Sequence, residues 1–254
     1  MSALLRAGYS DLPLPPIDLT NKIMGGRSIY DGTVRGVGLE YGDLAQRIEQ
    51  HPLFIKACHN AQRRSVMHYH RTMNLFLLIA LYFDSLESKD IIEFGSYRGG
   101  SAIFMATLLA RLYPDARIFA CDTFEGMPPT DKELDHHSAG DFSNSDEAEI
   151  NAYARSIGLT NLITVKGLVE DTFPARFDPD HRFGLAHIDL DIYHPIKYIQ
   201  HAIYPQIVKG GYMVYDDATA SSCIGATQAV EEWIAQTGAR SEQIYPHFVF
   251  RAHL

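Results

Sequence analysis

Two short stretches of this sequence concentrate carboxylates: His187-Ile-Asp189-Leu-Asp191-Ile-Tyr193 and Gly210-Gly-Tyr-Met-Val-Tyr-Asp216-Asp217. Each pair of aspartates follows an apolar run that reads as a strand. Asp189 and Asp191 are two apart and share a side if the strand continues through both. When two such strand ends are adjacent, four carboxylates meet. Like charges in a dry cleft cannot all stay ionised without compensation. A hard divalent cation is the simplest relief, and Mg²⁺ keeps waters that a substrate can displace. Such an ion would lower the pKa of a bound hydroxyl and orient its oxygen, while a nearby carboxylate takes the proton. The residues alone do not separate base from ligand. The competing reading is a set of solvated loop carboxylates with no ion.

A second motif, Glu93-Phe-Gly-Ser-Tyr-Arg-Gly-Gly-Ser101, reads as a glycine turn between a strand and a helix. Glycines there let the backbone approach a ligand, and the amides opening the helix can receive a carboxylate or phosphate. The spacing of Gly95, Gly99 and Gly100 is not the dinucleotide G-x-G-x-x-G. Arg98 and Ser101 suit an amino-acid carboxylate, and Glu93 suits an ammonium. Asp122, closing the next strand, is placed to accept hydrogen bonds from ribose hydroxyls. A nucleotide-bearing cofactor follows, although nicotinamide dinucleotides and S-adenosylmethionine both carry a ribose.

These residues need a scaffold, and the chain alternates strand and helix. Strands are expected over 90–95, 117–122, 162–165, 183–189 and 211–215, with a last one over 246–251. Helices are expected over 64–86, 101–112, 145–157, 195–208 and 226–236. This rhythm implies an α/β fold with a mostly parallel central sheet and helices on both faces, and ligands then sit at the carboxyl ends of the strands. Residues 1–42 are interrupted by prolines and glycines and read as an N-terminal arm or flap; 43–254 form the main domain.

Composition sets outer limits. The chain has 254 residues, 46% of them hydrophobic and 21% charged, enough for a substantial core. A formal charge of -9 tilts against nucleic acid or an anionic membrane as the main partner. The three cysteines, Cys58, Cys121 and Cys223, read as free thiols in a reducing compartment. No signal-peptide pattern opens the sequence and the apolar run 75–83 is too short for a membrane span, so a cytoplasmic protein is expected.

On its motifs the sequence resembles the macrocin O-methyltransferase family, which methylates sugar hydroxyls on macrolides and related natural products. The matching pieces are Ile92-Glu-Phe-Gly-Ser-Tyr-Arg-Gly-Gly-Ser101, Cys121-Asp-Thr-Phe-Glu-Gly-Met-Pro128, Gly167-Leu-Val-Glu-Asp-Thr-Phe-Pro174, Ile188-Asp-Leu-Asp-Ile-Tyr193 and Gly210-Gly-Tyr-Met-Val-Tyr-Asp-Asp217, in the family's order. The resemblance implies a class I methyltransferase (Rossmann-like) fold, S-adenosylmethionine and Mg²⁺ as cofactors, and a small glycosylated acceptor. It makes Asp189, Asp216 and Asp217 metal ligands and Asp191 the general base. It puts Glu93, Gly95, Arg98 and Ser101 near the methionine part of the cofactor, Asp122 at the ribose, Phe124 beside the cofactor, and Gly167 and Leu168 beside the adenine. It also implies a lid over about 130–144 and a homo-oligomer. His136 and His137 in that lid read as solvated loop histidines; Tyr193, His194 and Tyr215 either contact an acceptor or simply pack. Methylation of a phenol or catechol is the nearest rival. Metal-assisted hydrolysis at the aspartates is a more distant one, and a binding protein that has lost turnover is the non-enzymatic one.

Overall fold

A computed structural model describes residues 23–24, 27–28 and 32–254 of the chain. A short antiparallel ribbon, β1 (Ile23–Met24) and β2 (Arg27–Ser28), precedes a π-helical turn, Thr33–Val37, that runs into α1 (Gly38–Glu40). Most of the arm expected over 1–42 lies outside the described residues. Its described end is not irregular. Residues 32–40 are helical, and Arg35 is fully buried, paired with Glu242, donating from Nε to Gln243 at 2.8 Å and lying 4.8 Å from the Tyr82 ring. The glycines that read as breakers there allow close packing instead: a Cβ on Gly32 would meet the Glu242 carbonyl at 1.9 Å.

Two helices follow, α2 (Leu44–Glu49) and α3 (Pro52–Ala61). His51 caps α3, its Nδ1 accepting from the amides of Leu53 and Phe54 at 3.2 and 3.4 Å. Next, α4 (Tyr69–Leu77) continues through a wide turn, Leu78–Tyr82, and a tight one, Phe83–Ser85. The helix expected from residue 64 therefore starts later. Residues 64–65 pass over the start of the next helix so closely that a Cβ on Gly100 would meet the Ser65 amide at 2.3 Å.

The alternating region then runs β3 (Ile91–Phe94), α5 (Gly100–Leu112), β4 (Ile118–Asp122), α6 (Glu147–Ser156), β5 (Leu162–Lys166), α7 (Val169–Arg176), β6 (Phe183–Ile188), α8 (Tyr193–Ile203), β7 (Ile207–Tyr215), α9 (Ile224–Thr237), β8 (Ser241–Gln243) and β9 (Phe248–Arg251). α7, β8 and the first half of β7 had no counterpart in the expected elements. Gly210, at φ +74, sits where the β6–β7 register shifts, so β7 carries a bulge just before the expected start of the strand at 211.

The sheet order is β5-β4-β3-β6-β7-β9-β8, parallel from β5 to β7 and antiparallel at β9 and β8. β3 pairs with β4 on one side and β6 on the other, so the connections reverse direction there and open a crevice beyond the carboxyl ends of β3 and β6. One face packs Ile91, Leu185 and Val214 against α3, α4 and α5; the other packs Ile92, Ile188 and Met213 against α7, α8 and α9. Each such Ile or Leu side chain contributes about 1.5–3 kcal/mol by leaving water. Among the described residues no helix is long and apolar enough to cross a membrane.

Candidate active site

The crevice is a cleft of about 310 Å³ at those strand ends, a size that suits a small-molecule ligand. Gly95, Asp122, Gly167, Leu168 and all four aspartates of the acidic motifs line it. Gly95 sits at φ +90, and its amide donates to the Cys121 carbonyl at 2.9 Å. Asp122 accepts from the amides of Tyr97 and Phe124, both at 2.7 Å. Burial pushes the Asp122 carboxyl above its usual range, opposed by those two amides. Oδ2 keeps a second lone pair for a hydroxyl, whereas Oδ1 also lies 3.4 Å from the Thr123 hydroxyl. The Gly167 amide donates to the Asp122 carbonyl at 2.9 Å, at φ +138, and Leu168 stands partly exposed beside it.

Four expected cofactor residues lie elsewhere. Glu93 is fully buried with its Oε1 3.0 Å from His187 Nδ1, and it forms no part of the cleft wall. Ser101 lines a separate hollow with Cys58, Ser65 and Phe104. Arg98 is half-buried and forms no part of the cleft wall. Phe124 is buried at φ +51 and acts through its amide on Asp122. Tyr193 and Tyr215 pack and hydrogen-bond to Glu232 and Gln200, while His194 is exposed.

The aspartates converge by a route other than the expected one. β6 ends at Ile188, so no strand carries Asp189 and Asp191 to one side. The chain turns instead, with Asp191 at φ +59 and the Ile192 amide donating to the Leu190 carbonyl at 2.6 Å. Asp217 Oδ2 accepts from the Asp191 amide at 3.0 Å, fixing this turn to the end of β7. Asp189, Asp191 and Asp217 each bring an oxygen within 4.8 Å of the others. Burial first, then the neighbouring carboxylates, hold Asp189 and Asp217 well above the ordinary carboxylate range. Burial raises Asp191 as well, opposed by His137. Among the described residues the Asp189 carboxylate has no hydrogen-bond or ion-pair partner. Three clustered carboxylates held above their usual range, one of them unpartnered, fit a hard dication.

Asp216 stands apart in its charge balance. Its Oδ1 is 2.8 Å from His247 Nε2 and its Oδ2 accepts from Arg71 at 2.5 Å. Burial opposes its ionisation, but the hydrogen-bonded His247 and the His187 ring, with Nε2 3.7 Å away, outweigh it and keep Asp216 far below the usual range. His187, although penalised by burial, is lifted to about 9 by Asp216 and Glu93, whereas burial lowers His247 to about 4. A buried His–Asp–His cluster thus carries its own cation. Nothing in the spacing of Arg71 or His247 announced this; only His187 lay inside a motif.

The expected lid folds back on itself. Met127 and Asp141 are joined by an amide-to-carbonyl bond of 2.8 Å, and Gly140 returns one to Met127 at 2.9 Å. Asp135 Oδ1 accepts from the Tyr193 amide at 2.9 Å, anchoring the segment to α8. His136 is exposed, but His137 turns inward, with Nε2 3.7 Å from Asp191 Oδ1.

The macrocin-O-methyltransferase (TylF) family model matches residues 78–242, more than half of the chain. The chain is similar to 8-demethyl-8-(2,3-dimethoxy-alpha-L-rhamnosyl)-tetracenomycin-C 4'-O-methyltransferase from Streptomyces olivaceus, 28% identical over 145 residues that span 53% of this chain and 54% of that protein. It is also similar to mycinamicin III 3''-O-methyltransferase from Micromonospora griseorubida, 27% identical over 165 residues, 60% of this chain and 63% of that one. The chain thus spans about half to three-fifths of these relatives' length. Among solved structures, the O-methyltransferase NovP superposes with a TM-score of 0.64 at 20% identity, covering 82% of this chain and 94% of that one. The calicheamicin methyltransferase CalS11 superposes with a TM-score of 0.63 at 22% identity, over 82% and 89%. The fold is that of the class I methyltransferases.

Proposed function

This chain belongs to the macrocin-O-methyltransferase (TylF) family, and from that premise we propose that it moves a methyl group from S-adenosylmethionine to a sugar hydroxyl of a natural product. The observation that carries the reading is the convergence of Asp189, Asp191 and Asp217 beside the Gly95 turn and Asp122 in one cleft. S-adenosylmethionine would supply an electrophilic methyl group there, and Mg²⁺ a Lewis acid that lowers the acceptor's pKa. The names of the relatives support the acceptor class: one is a 4'-O-methyltransferase of a rhamnosyl-tetracenomycin and the other a 3''-O-methyltransferase of mycinamicin III.

The chain's own residues divide the work. Asp122 accepts hydrogen bonds from the ribose, on oxygens already held by the Tyr97 and Phe124 amides. Gly95 brings the backbone close to the methionine end, and Gly167 and Leu168 border the base. Asp189, Asp216 and Asp217 are the proposed ligands. Asp216 remains ionised, as a ligand must, and Arg71 is the cation that pairs with it in this structure. Asp191 is the proposed base, its raised pKa matching a group that must take a proton from an alcohol near neutral pH. Holding acceptor and donor in line removes most of the encounter entropy. We further propose a cytoplasmic homo-oligomer, with the segment 130–144 as a lid over the cofactor.

The test is calorimetric titration with S-adenosylmethionine, followed by product analysis on paired glycosylated and phenolic acceptors with and without EDTA. Methylation at a sugar hydroxyl that EDTA abolishes is the expected result. No heat at saturating cofactor overturns the reading, and a methylated phenol moves it to the rival acceptor class. Asp191→Asn is expected to keep cofactor and Mg²⁺ affinity while losing on the order of 10²–10⁴ in turnover. Loss of Mg²⁺ affinity instead would make Asp191 a ligand.

A further inference from the structure

His137, Asp191 and Cys223 bring an imidazole, a carboxylate and a thiol to one corner of the cleft, from the lid, the turn after β6 and the residue that opens α9. His137 Nε2 is 3.7 Å from Asp191 Oδ1 and 3.9 Å from Cys223 Sγ, and Sγ is 3.4 Å from Oδ1. A tetrahedral Zn²⁺, about 2.0–2.3 Å from N, O and S ligands, sets ligand-to-ligand edges of about 3.4–3.6 Å. The triangle already matches on one edge and must contract by a few tenths of an ångström on the other two. The imidazole is also oriented for this. Its Nδ1 lies 3.4 Å from Asp141 Oδ2, the carboxylate–histidine pairing that fixes metal-bound rings, and Asp141 is itself held by the Ser138 amide at 3.0 Å.

We propose that His137, Asp191 and Cys223 form a site for a thiophilic divalent cation of the Zn²⁺ class, with its fourth position open to the cleft. Sulfur and imidazole donors separate it from the carboxylate corner, which suits Mg²⁺. The thiol proton now directed at Asp191 leaves for solvent as the thiolate binds, so occupancy releases a proton. An ion here ties the lid to the body of the domain. It also engages Asp191 and so blocks turnover; that one consequence rests on the methyltransferase reading, while the site itself does not.

The experiment titrates the full-length, metal-free chain with Co²⁺ alone, without methyl donor or acceptor, and reads its absorption. A thiolate-to-cobalt charge-transfer band is expected, bleached by Zn²⁺ and not by Mg²⁺. Cys223→Ser should lose the band, and His137→Gln should weaken Co²⁺ binding more than tenfold. Asp141→Asn, which changes a half-exposed lid residue and leaves the core intact, should weaken it on the order of tenfold. No charge-transfer band in the unmodified chain overturns the site. So does a band that survives Cys223→Ser, which would put the thiolate at Cys58 or Cys121. Because no methyl transfer is measured, failure of the proposed function leaves this result readable.

Discussion

The carbonyl oxygen of Asp189 occupies the space a side chain on Gly95 would need: a Cβ there would lie 1.5 Å from it. The two residues follow β3 and β6, the adjacent strands at which the sheet connections reverse, so the glycine turn and the acidic turn are packed as one unit. Gly95→Ala should therefore cost on the order of 3 kcal/mol or more in urea unfolding, since the positive φ and the clash add. Gly158→Ala is the control. It shares a positive φ but has nothing within 4 Å, and should cost about 1 kcal/mol. Equal losses would mean that the contact between the turns carries no energy.

Asp189→Asn should stabilise the metal-free protein while disabling it. The half-buried Asp189 carboxyl has a raised pKa. The folded state therefore binds more protons than the unfolded chain above the ordinary carboxylate range, and stability falls as pH rises through that window. Replacing the acid by its neutral isostere removes the penalty. An increase of roughly 1–2 kcal/mol, or about 2–6 °C in Tm, is expected in EDTA, with the larger gain at higher pH. The rise in Tm that Mg²⁺ gives the parent should vanish in the variant. Scanning calorimetry with and without Mg²⁺ checks both.

Arg71→Met tests the opposite balance. Arg71 neutralises Asp216 in the structure, so its loss leaves a buried carboxylate whose remaining side-chain partners among the described residues are His187 and His247. A cost of about 2–3 kcal/mol in metal-free unfolding is expected. If Asp216 is a ligand, removing its competing cation should tighten Mg²⁺ binding in calorimetry. Unchanged Mg²⁺ affinity would separate Asp216 from the metal.

His51 should give the protein an acid-sensitive limb far from the cleft. Burial lowers its pKa from 6.5 to about 4, and its Nδ1 can cap α3 only as an acceptor. Between those values the unfolded chain takes up a proton that the folded one refuses. Stability should thus rise with pH through this window and be fully present above 6.5, by at most about 3 kcal/mol. His51→Asn keeps a capping side chain that does not titrate. Urea midpoints of the variant across the window should show a shallower slope than the parent's.

The sheet was legible because fully buried parallel strands are nearly continuous apolar runs, and Ile91–Phe94 and Phe183–Ile188 are written that way. The acidic turns were legible because each aspartate pair ends such a run. The sequence hid what depends on backbone angle and distant packing. The bulge at Gly210 left no mark in the pattern, and β7 begins at Ile207 rather than 211. Gly32 and Gly36 read as breakers yet let a helical segment settle against Glu242 and Tyr245. Glu93 reads as a ligand group for an ammonium, but β3 lies between two buried neighbours, and pairing with His187 across the sheet places both inside. Arg71 and His247 sit far from Asp216 in sequence, so no spacing rule could join them.

The left-handed backbone at Asp191 filters which amino acids can stand there before any chemistry is considered. At φ +59 glycine, asparagine and aspartate are favoured, and β-branched residues are nearly excluded. A saturation library at this position would therefore sort first by fold and only afterwards by proton transfer. Asparagine is the one replacement that holds shape constant while deleting charge.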